Sequence, residues 1–200
     1  MIRAVVFDFG NVICRFDNGI VLERLARNSG LTIQELKRIV HDSRDLIPDY
    51  EKGLVSSEGF FHRLATLIGL KMSMREFAQA YTDKFTPIPE TMELIRSLKG
   101  KYRLGLLSNT SELDFEHGIK VTDVFPLFDA VTLSFEVHAL KPARELYLDI
   151  LRKLDVEPSE SVYIDDVEEN VDAAAGIGMN GVLFRTSRGL EESLRYLCAT

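Results

Sequence analysis

Five side chains that can act on a phosphate group or hold a metal ion follow short apolar runs in this sequence. In chain order they are Asp8, Ser108, Lys141, Asp165 and Asp166. The apolar runs are rich in β-branched and large residues and precede helical patterns, which is typical of the buried strands of a parallel α/β sheet. Ligands bind outside the carboxyl ends of such strands. Three carboxylates, a lysine and a serine at one sheet edge therefore predict a site for Mg²⁺ and a phosphate.

These residue types suit the hydrolysis of a phosphate monoester, whose anionic oxygens repel a nucleophile. The carboxylate of Asp8 can attack and form an aspartyl-phosphate that water later hydrolyses. Asp8 and Asp166 can supply oxygen ligands to Mg²⁺, with Asp165 adjusting the outer shell of this metal site. Lys141 offers a positive charge to Asp8 and to the phosphoryl oxygens. Ser108 can donate a hydrogen bond to the phosphoryl group.

The chain divides into three parts. Residues 1–15 hold one strand and its loop. Residues 16–84 show no convincing strand but several helical patterns, and capping-box sequences begin at Thr32 and Ser73. From residue 85 onward, strand and helix patterns alternate. We therefore predict an α/β fold in which residues 1–15 and 85–200 form a parallel-sheet core and residues 16–84 form an inserted helical bundle.

Within the core, the apolar runs predict strands at residues 103–107, 128–134, 161–164 and 181–184, and helices at residues 90–99 and 168–176. Pro142 suits the first turn of a further helix, because proline is favoured at the first helical position.

The net charge of −7 includes no basic run, so no nucleic-acid or anionic-membrane partner is predicted. No apolar stretch is long enough to span a bilayer. The N-terminus has no signal-peptide pattern, which leads us to expect a cytoplasmic protein. Cys14 and Cys198 are expected to be reduced thiols. The sequence makes no prediction of the oligomeric state.

Four segments, in this order, resemble the motifs of the haloacid dehalogenase superfamily of phosphohydrolases. They are residues 5–13, 107–110, 141–142 and 163–170. The resemblance implies a Rossmann-like core, a helical cap at residues 16–84, and Mg²⁺-dependent phosphoryl transfer through Asp8.

The resemblance also implies further site residues. The backbone carbonyl of Gly10 becomes a metal ligand beside Asp8 and Asp166. Residues 50–56 resemble the substrate-specificity turn of the cap, and we expect Tyr50, Glu51 and Gly53 of this turn to contact substrate. Asn109, which follows the serine of the second motif, is expected to face the site.

One position departs from the superfamily pattern. Phosphatases of this superfamily usually carry a second aspartate, as general acid and base, where this chain has Gly10. General acid–base help is worth roughly two to four orders of magnitude in rate. The form Asp-x-Gly-Asn-Val resembles a subgroup of glucose-1-phosphate phosphatase-like proteins. A sugar 1-phosphate would suit the site, because its anomeric oxygen leaves with less need for protonation.

Three functions fit these observations. The leading one is a Mg²⁺-dependent phosphatase for a small phosphorylated metabolite, with a sugar phosphate as the favoured substrate class. A phosphate-binding pseudo-enzyme weakened by Gly10 is the second. A metal-independent 2-haloacid dehalogenase is the third, and the pair Asp165 and Asp166 argues against it. If another group replaces the missing acid, Asp17, His41 and Glu51 are the first candidates.

Overall fold

The computed structural model describes residues 1–198, without the side chain of Cys198. The strands are β1 (Ala4–Phe7), β2 (Cys14–Phe16), β3 (Phe85–Pro87), β4 (Arg103–Ser108), β5 (Ala130–Leu133), β6 (Ser161–Asp165) and β7 (Asn180–Leu183). The helices that precede β4 are α1 (Asn18–Ser29), α2 (Ile33–Asp42), α3 (Leu46–Glu51), α4 (Ser57–Ile68), α5 (Met74–Thr82) and α6 (Pro89–Leu98). The later helices are α7 (Glu112–Asp114), α8 (Ser134–Val137), α9 (Arg144–Leu154), α10 (Glu168–Gly176) and α11 (Ser187–Cys198).

A five-stranded parallel sheet with the order β5-β4-β1-β6-β7 forms the centre of the fold. Side chains of the central strand β1 alternate between its two faces. Val5 and Phe7 pack in a core cluster with residues of α6 and α11, whereas Ala4 and Val6 pack with residues of α9 and α10. Both faces of the sheet are therefore covered, as the apolar runs predicted, and the α/β prediction is confirmed.

The register of the sheet positions the reactive residues. Phe7 of β1 lies opposite Leu106 of β4 on one side and Ile164 of β6 on the other. Asp8 therefore emerges beside Asp165, the last residue of β6. The strand ends bring residues that are far apart in sequence to the same edge, where parallel sheets bind ligands.

Two details differ from the sequence-based predictions. Phe16 and Phe85 pair in a short antiparallel ribbon formed by β2 and β3. Strands of three residues are too short to show a periodicity, so no sequence pattern predicts them. Pro142 precedes α9, which begins at Arg144, and the Lys141–Pro142 peptide bond is cis.

In chain order, the helices α1–α5 follow β2 and precede β3. They form a hydrophobic core of their own. Thr32 and Ser73 form the capping boxes that the sequence predicted at the starts of α2 and α5. Tyr50 and Phe60 stack with ring centroids 4.2 Å apart, and Phe77 is fully buried beside Phe60. We call α1–α5 the cap helices. The exact division of the chain at residues 16 and 84 stays a prediction.

The turn after α3 joins the cap helices to the core. The hydroxyl of Ser134 donates a hydrogen bond to the carbonyl oxygen of Glu51 (2.6 Å) and accepts one from the N–H of Thr110 (2.9 Å). Gly53 has a left-handed φ of +65°, and a Cβ atom there would lie 2.2 Å from the carbonyl oxygen of Phe135. Only glycine permits this close backbone approach.

No helix within residues 1–198 is both long and apolar enough to cross a bilayer. Cys14 is a buried free thiol. The predicted thiol of Cys198 lies outside the described part of the structure.

Two glycine substitutions distinguish the cost of backbone strain from the cost of disrupting the contact between Gly53 and Phe135, which joins the cap helices to the core. Gly69→Ala places a side chain at a φ of +62° with open space around it, so urea unfolding should show a loss of about 1–2 kcal/mol in the free energy of unfolding. Gly53→Ala should lose more, because its Cβ also meets the Phe135 carbonyl. Equal losses in the two variants would show that this close approach is unimportant.

Candidate active site

Lys141 bridges two carboxylates at the carboxyl edge of the sheet. Its Nζ atom lies 2.7 Å from Oδ1 of Asp8 and 2.8 Å from Oδ2 of Asp165. The exposed fractions of Asp8, Lys141 and Asp165 are 7%, 7% and 0%. The lysine reaches these strands from the loop before α9, so the structure brings together residues that the sequence separates widely.

Asp165 anchors this cluster. Its Oδ1 accepts a hydrogen bond from the backbone N–H of Val167 at 2.8 Å. Its Oδ2 accepts hydrogen bonds from the hydroxyl of Tyr163 and from Nδ2 of Asn170, in addition to its contact with Lys141. Because protein donors occupy both oxygens, the carboxylate is fixed in orientation and holds the lysine in place.

Burial and charge act in opposite directions on the two partners. Burial raises the pKa of Asp8 to about 7, with Lys141 opposing this rise and Asp165 adding to it. Burial opposes the charge of Lys141, but Asp8 and Asp165 outweigh it and raise the pKa of the lysine above its ordinary value. Lys141 therefore stays charged. The raised pKa means that Asp8 binds a proton readily, and a further cation nearby would lower that pKa.

The acidic residues at this edge fit a divalent metal ion. Asp8, Asp165 and Asp166 each offer a carboxylate oxygen, and these atoms lie within 4.8 Å of one another. Nδ2 of Asn11 donates a hydrogen bond to Oδ2 of Asp166 at 3.0 Å, which orients that carboxylate. Three carboxylates face one ammonium group, so negative charge is in excess. Hard oxygen ligands with excess negative charge suit Mg²⁺.

Ser108 and Asn109 continue the same edge at the end of β4. Ser108 is buried and lines the cavity described below. Asn109 binds the backbone of Lys141 through both polar atoms of its side-chain amide. Its Oδ1 accepts a hydrogen bond from the N–H of Lys141 at 2.8 Å, and its Nδ2 donates one to the carbonyl oxygen of Lys141 at 3.3 Å. Asn109 thus positions the lysine and also lines the cavity.

A cavity of about 380 Å³ lies between the cap helices and the strand ends. Gly10, Ser108 and Asn109 line it on the core side, and residues of the cap helices line it on the other side. Among the residues predicted in the cap turn, Glu51 lines this cavity. Tyr50 is 1% exposed, and its hydroxyl lies 2.9 Å from Oγ of Ser57. The predicted substrate contacts of this turn stay predictions.

The structure adds a buried ion pair that the sequence did not suggest. Nζ of Lys84 donates a hydrogen bond to Oδ2 of Asp114 at 3.0 Å and lies 4.1 Å from the centre of the Tyr81 ring. All three residues line the cavity. Lys84 precedes β3 and Asp114 ends α7, so their separation in sequence left no recognisable pattern.

The three candidates for the missing acid occupy different environments. Oδ1 of Asp17 caps α1 by accepting a hydrogen bond from the N–H of Gly19 at 2.7 Å. His41 lines the cavity but is exposed. Glu51 lines it from a partly buried position; burial raises its pKa, the charge of Asp114 adds to this, and Lys84 opposes it.

An aromatic side chain stands where the superfamily's usual second aspartate would project. A Cβ atom built on Gly10 would lie 3.1 Å from Cε1 of Phe16. Phe16 lines the cavity, so its ring borders the region above the nucleophile candidate. The position next to Asp8 therefore presents hydrocarbon instead of a carboxyl group.

A family model of haloacid dehalogenase-like hydrolases matches residues 2–178. The chain is 26% identical to a D-ribitol-5-phosphate phosphatase from Bacteroides thetaiotaomicron, over 89% of each chain. It is 28% identical to a sesquiterpene phosphatase from Aspergillus oryzae, over 98% of this chain and 96% of that protein. A haloacid dehalogenase family enzyme from B. thetaiotaomicron, crystallised with magnesium and inorganic phosphate, superposes with a TM-score of 0.82 at 22% identity over 92% of this chain and 95% of that one.

Substitutions of Lys141 and Asp8 should change the free energy of unfolding by different amounts. Lys141→Ala leaves Asp8 and Asp165 buried without their shared cation, and breaking such a pair costs about 3–5 kcal/mol. Asp8→Asn keeps the shape of the side chain and removes one negative charge, so it should change the free energy of unfolding far less. Urea unfolding in metal-free buffer measures both variants. A smaller loss for Lys141→Ala than for Asp8→Asn would contradict the role assigned to the lysine.

Proposed function

The chain belongs to the haloacid dehalogenase-like hydrolases, and from this premise we propose that it is a Mg²⁺-dependent phosphatase of a small phosphorylated metabolite. Asp8 is the proposed nucleophile. The observation that carries the proposal is the bridge from Lys141 to Asp8 and Asp165, beside the carboxylate of Asp166.

The first step transfers the phosphoryl group to Asp8. A carboxylate oxygen of Asp8 attacks phosphorus, the bond between phosphorus and the ester oxygen breaks, and the ester oxygen keeps the electron pair of that bond and takes up a proton to leave as the alcohol. Lys141 holds Oδ1 of Asp8 and adds positive charge where the transferred phosphoryl group is anionic. Ser108 lies at the same edge and supplies a hydroxyl donor to the phosphoryl oxygens.

The second step hydrolyses the aspartyl-phosphate. Water attacks phosphorus, the bond to Asp8 breaks, and inorganic phosphate leaves. A group that protonates the leaving ester oxygen in the first step can take a proton from the attacking water in the second. We assign this role to Glu51, because it lines the same cavity as Gly10 and burial raises the pKa of its carboxyl group.

Asp8, Asp166 and the carbonyl of Gly10 are the proposed ligands of Mg²⁺, with Asp165 fixed behind them. When bound, the ion neutralises phosphoryl oxygens and thereby lowers the barrier to attack by an anionic nucleophile. The excess of carboxylates over ammonium groups in this cluster supports the assignment.

The proposed reaction is compatible with several classes of phosphorylated substrate. The sequence favoured a sugar phosphate and a glucose-1-phosphate phosphatase-like protein. The similarity to the D-ribitol-5-phosphate phosphatase supports a polyol phosphate, whereas the similarity to the sesquiterpene phosphatase supports an apolar one. A sugar phosphate therefore stays one hypothesis among small phosphorylated metabolites.

The two alternatives differ from this proposal in measurable ways. A pseudo-enzyme would bind phosphate esters without turnover. A dehalogenase of the cofactor-free type has no use for the acidic cluster formed by Asp8, Asp165 and Asp166, and that cluster favours the phosphatase.

A panel of phosphate monoesters tests the proposed reaction. Release of inorganic phosphate should require Mg²⁺, stop on addition of EDTA, and fall to background in Asp8→Asn, because a carboxamide is a poor nucleophile. Asp49→Asn, at a half-buried residue of α3 outside the cavity lining, serves as a control that keeps activity. Turnover that survives in Asp8→Asn would refute the mechanism, and binding without turnover in wild type would favour the pseudo-enzyme.

A further inference from the structure

The cavity above the strand ends extends from Gly10, Ser108 and Asn109 into the cap helices. The charged residues of the Lys141 cluster do not themselves line it, but Asn109 contacts the backbone of Lys141. The cavity volume of about 380 Å³ lies within the range of small-molecule sites. Gly10, Ser108 and Asn109 border it at the reaction centre, so a substrate whose phosphate lies there would extend its alcohol portion into the remaining volume.

Aliphatic and aromatic side chains form most of the remaining wall. From the cap helices they are Val21, Leu22, Leu25, Val40, Leu46, Ile47, Phe60 and Leu64. Leu22, Val40 and Ile47 are only half-buried, although each belongs to a lining that faces an internal space. Half-buried apolar side chains at a cavity gain from contact with a hydrocarbon ligand, because that contact removes their surface from water.

The acidic and basic side chains of the lining are few beside the apolar ones: they are Lys37, His41, Glu51, Lys84 and Asp114, and Glu51 is the proposed proton carrier. Lys84 pairs with Oδ2 of Asp114 and lies over the ring of Tyr81. Oδ1 of Asp114 is buried without a hydrogen-bond partner among the described residues, so it is one acceptor that a ligand hydroxyl could reach. Lys37 and His41 are exposed and belong to the solvent side of the cavity. Each hydroxyl of a polyol that enters an apolar wall without a partner loses its hydrogen bonds to water.

Phe16 extends the apolar wall to the reaction centre. Its ring lies beside Gly10, at the position where a Cβ atom would approach within 3.1 Å of it. The first carbon atoms of a leaving alcohol therefore meet an aromatic surface on the side of Phe16.

We propose that the substrate is the monophosphate of a predominantly hydrocarbon alcohol, with an alkyl or prenyl chain that occupies the cavity between Phe16 and the cap helices. This inference rests on the proposed phosphatase function and specifies its leaving group. It assigns the phosphate to the Lys141 cluster and the hydrocarbon chain to the apolar wall.

Two phosphate esters with the same number of carbon atoms test this assignment. Pentyl phosphate and ribitol 5-phosphate both place a phosphate on a primary alcohol, but one chain is hydrocarbon and the other carries hydroxyls. Calorimetry with Asp8→Asn protein and Mg²⁺ measures binding without turnover. Pentyl phosphate should bind about tenfold or more tightly, because hydroxyls left unpaired by the wall weaken binding. Equal affinities, or tighter binding of ribitol 5-phosphate, would overturn the inference.

The length of the alkyl chain gives a second readout. Affinity should increase about fourfold for each added methylene until the cavity is filled, which is the gain expected from burying one methylene group. An affinity that does not change with chain length would place the hydrocarbon outside the cavity and contradict the assignment.

A matched pair of variants tests where the hydrocarbon chain of the ligand binds. Leu22→Asn alters the wall on α1, whereas Leu67→Asn makes the same change on α4 at a residue that is 46% exposed and outside this cavity lining. Leu22→Asn should weaken binding of pentyl phosphate about tenfold and leave inorganic phosphate binding unchanged. Leu67→Asn should change neither. If the Leu22→Asn protein does not fold, Ile47→Asn on α3 takes its place. Unchanged binding of pentyl phosphate in the wall variant would overturn the inference.

Acetyl phosphate separates failure of this inference from failure of the proposed function, because it has almost no leaving-group body to recognise. If wild type hydrolyses acetyl phosphate but prefers the polyol ester, the phosphatase proposal stands and the hydrocarbon assignment fails. If Asp8→Asn protein prefers pentyl phosphate but wild type hydrolyses neither acetyl phosphate nor pentyl phosphate, the assignment of the cavity stands and the phosphatase proposal fails.

Discussion

The bridge formed by Lys141 between Asp8 and Asp165 is the interaction on which the site depends. A buried ammonium group contacts two buried carboxylates, and burial of such charges is tolerable only when they are paired and hydrogen-bonded. Tyr163 and Asn170 complete the pairing from behind, by donating to Asp165. The cluster is therefore held rigidly, with its remaining negative charge directed to the place where a cation and a phosphate would meet.

The sheet and the cap helices contribute different things to this site. The register of β1 with β6 brings Asp8 beside Asp165, and this geometry is independent of any substrate. The cap helices supply the apolar wall of the cavity and, through the turn seated against Phe135, the carboxyl group of Glu51. Under the proposed function, the strand ends would carry the reaction chemistry and the cap helices would discriminate among leaving groups, since function resides in sites that differ on a shared fold.

The sequence predicted the parts of this arrangement that have a local signature. The strand ending at Asp8 and the capping boxes at Thr32 and Ser73 follow from apolar runs and short-range hydrogen bonding. The pairing of Lys84 with Asp114 had no such signature, because it depends on how the cap helices pack against the core. The contact of Phe16 with Gly10 likewise depends on a ribbon of two very short strands. The apolar wall of the cavity depends on which side chains of the cap helices face the strand ends, and this packing has no local sequence signature.

Covalent trapping of the phosphorylated protein tests the central claim most directly. Acetyl phosphate needs no proton donor for its leaving group, so it should phosphorylate the wild-type protein in the presence of Mg²⁺ despite the glycine at position 10. Rapid acid quenching followed by peptide mass spectrometry should find the phosphoryl group on Asp8, and Asp8→Asn should remain unmodified. Steady hydrolysis with the phosphoryl group on another residue, or without any covalent phosphoprotein at any quench time, would contradict the account.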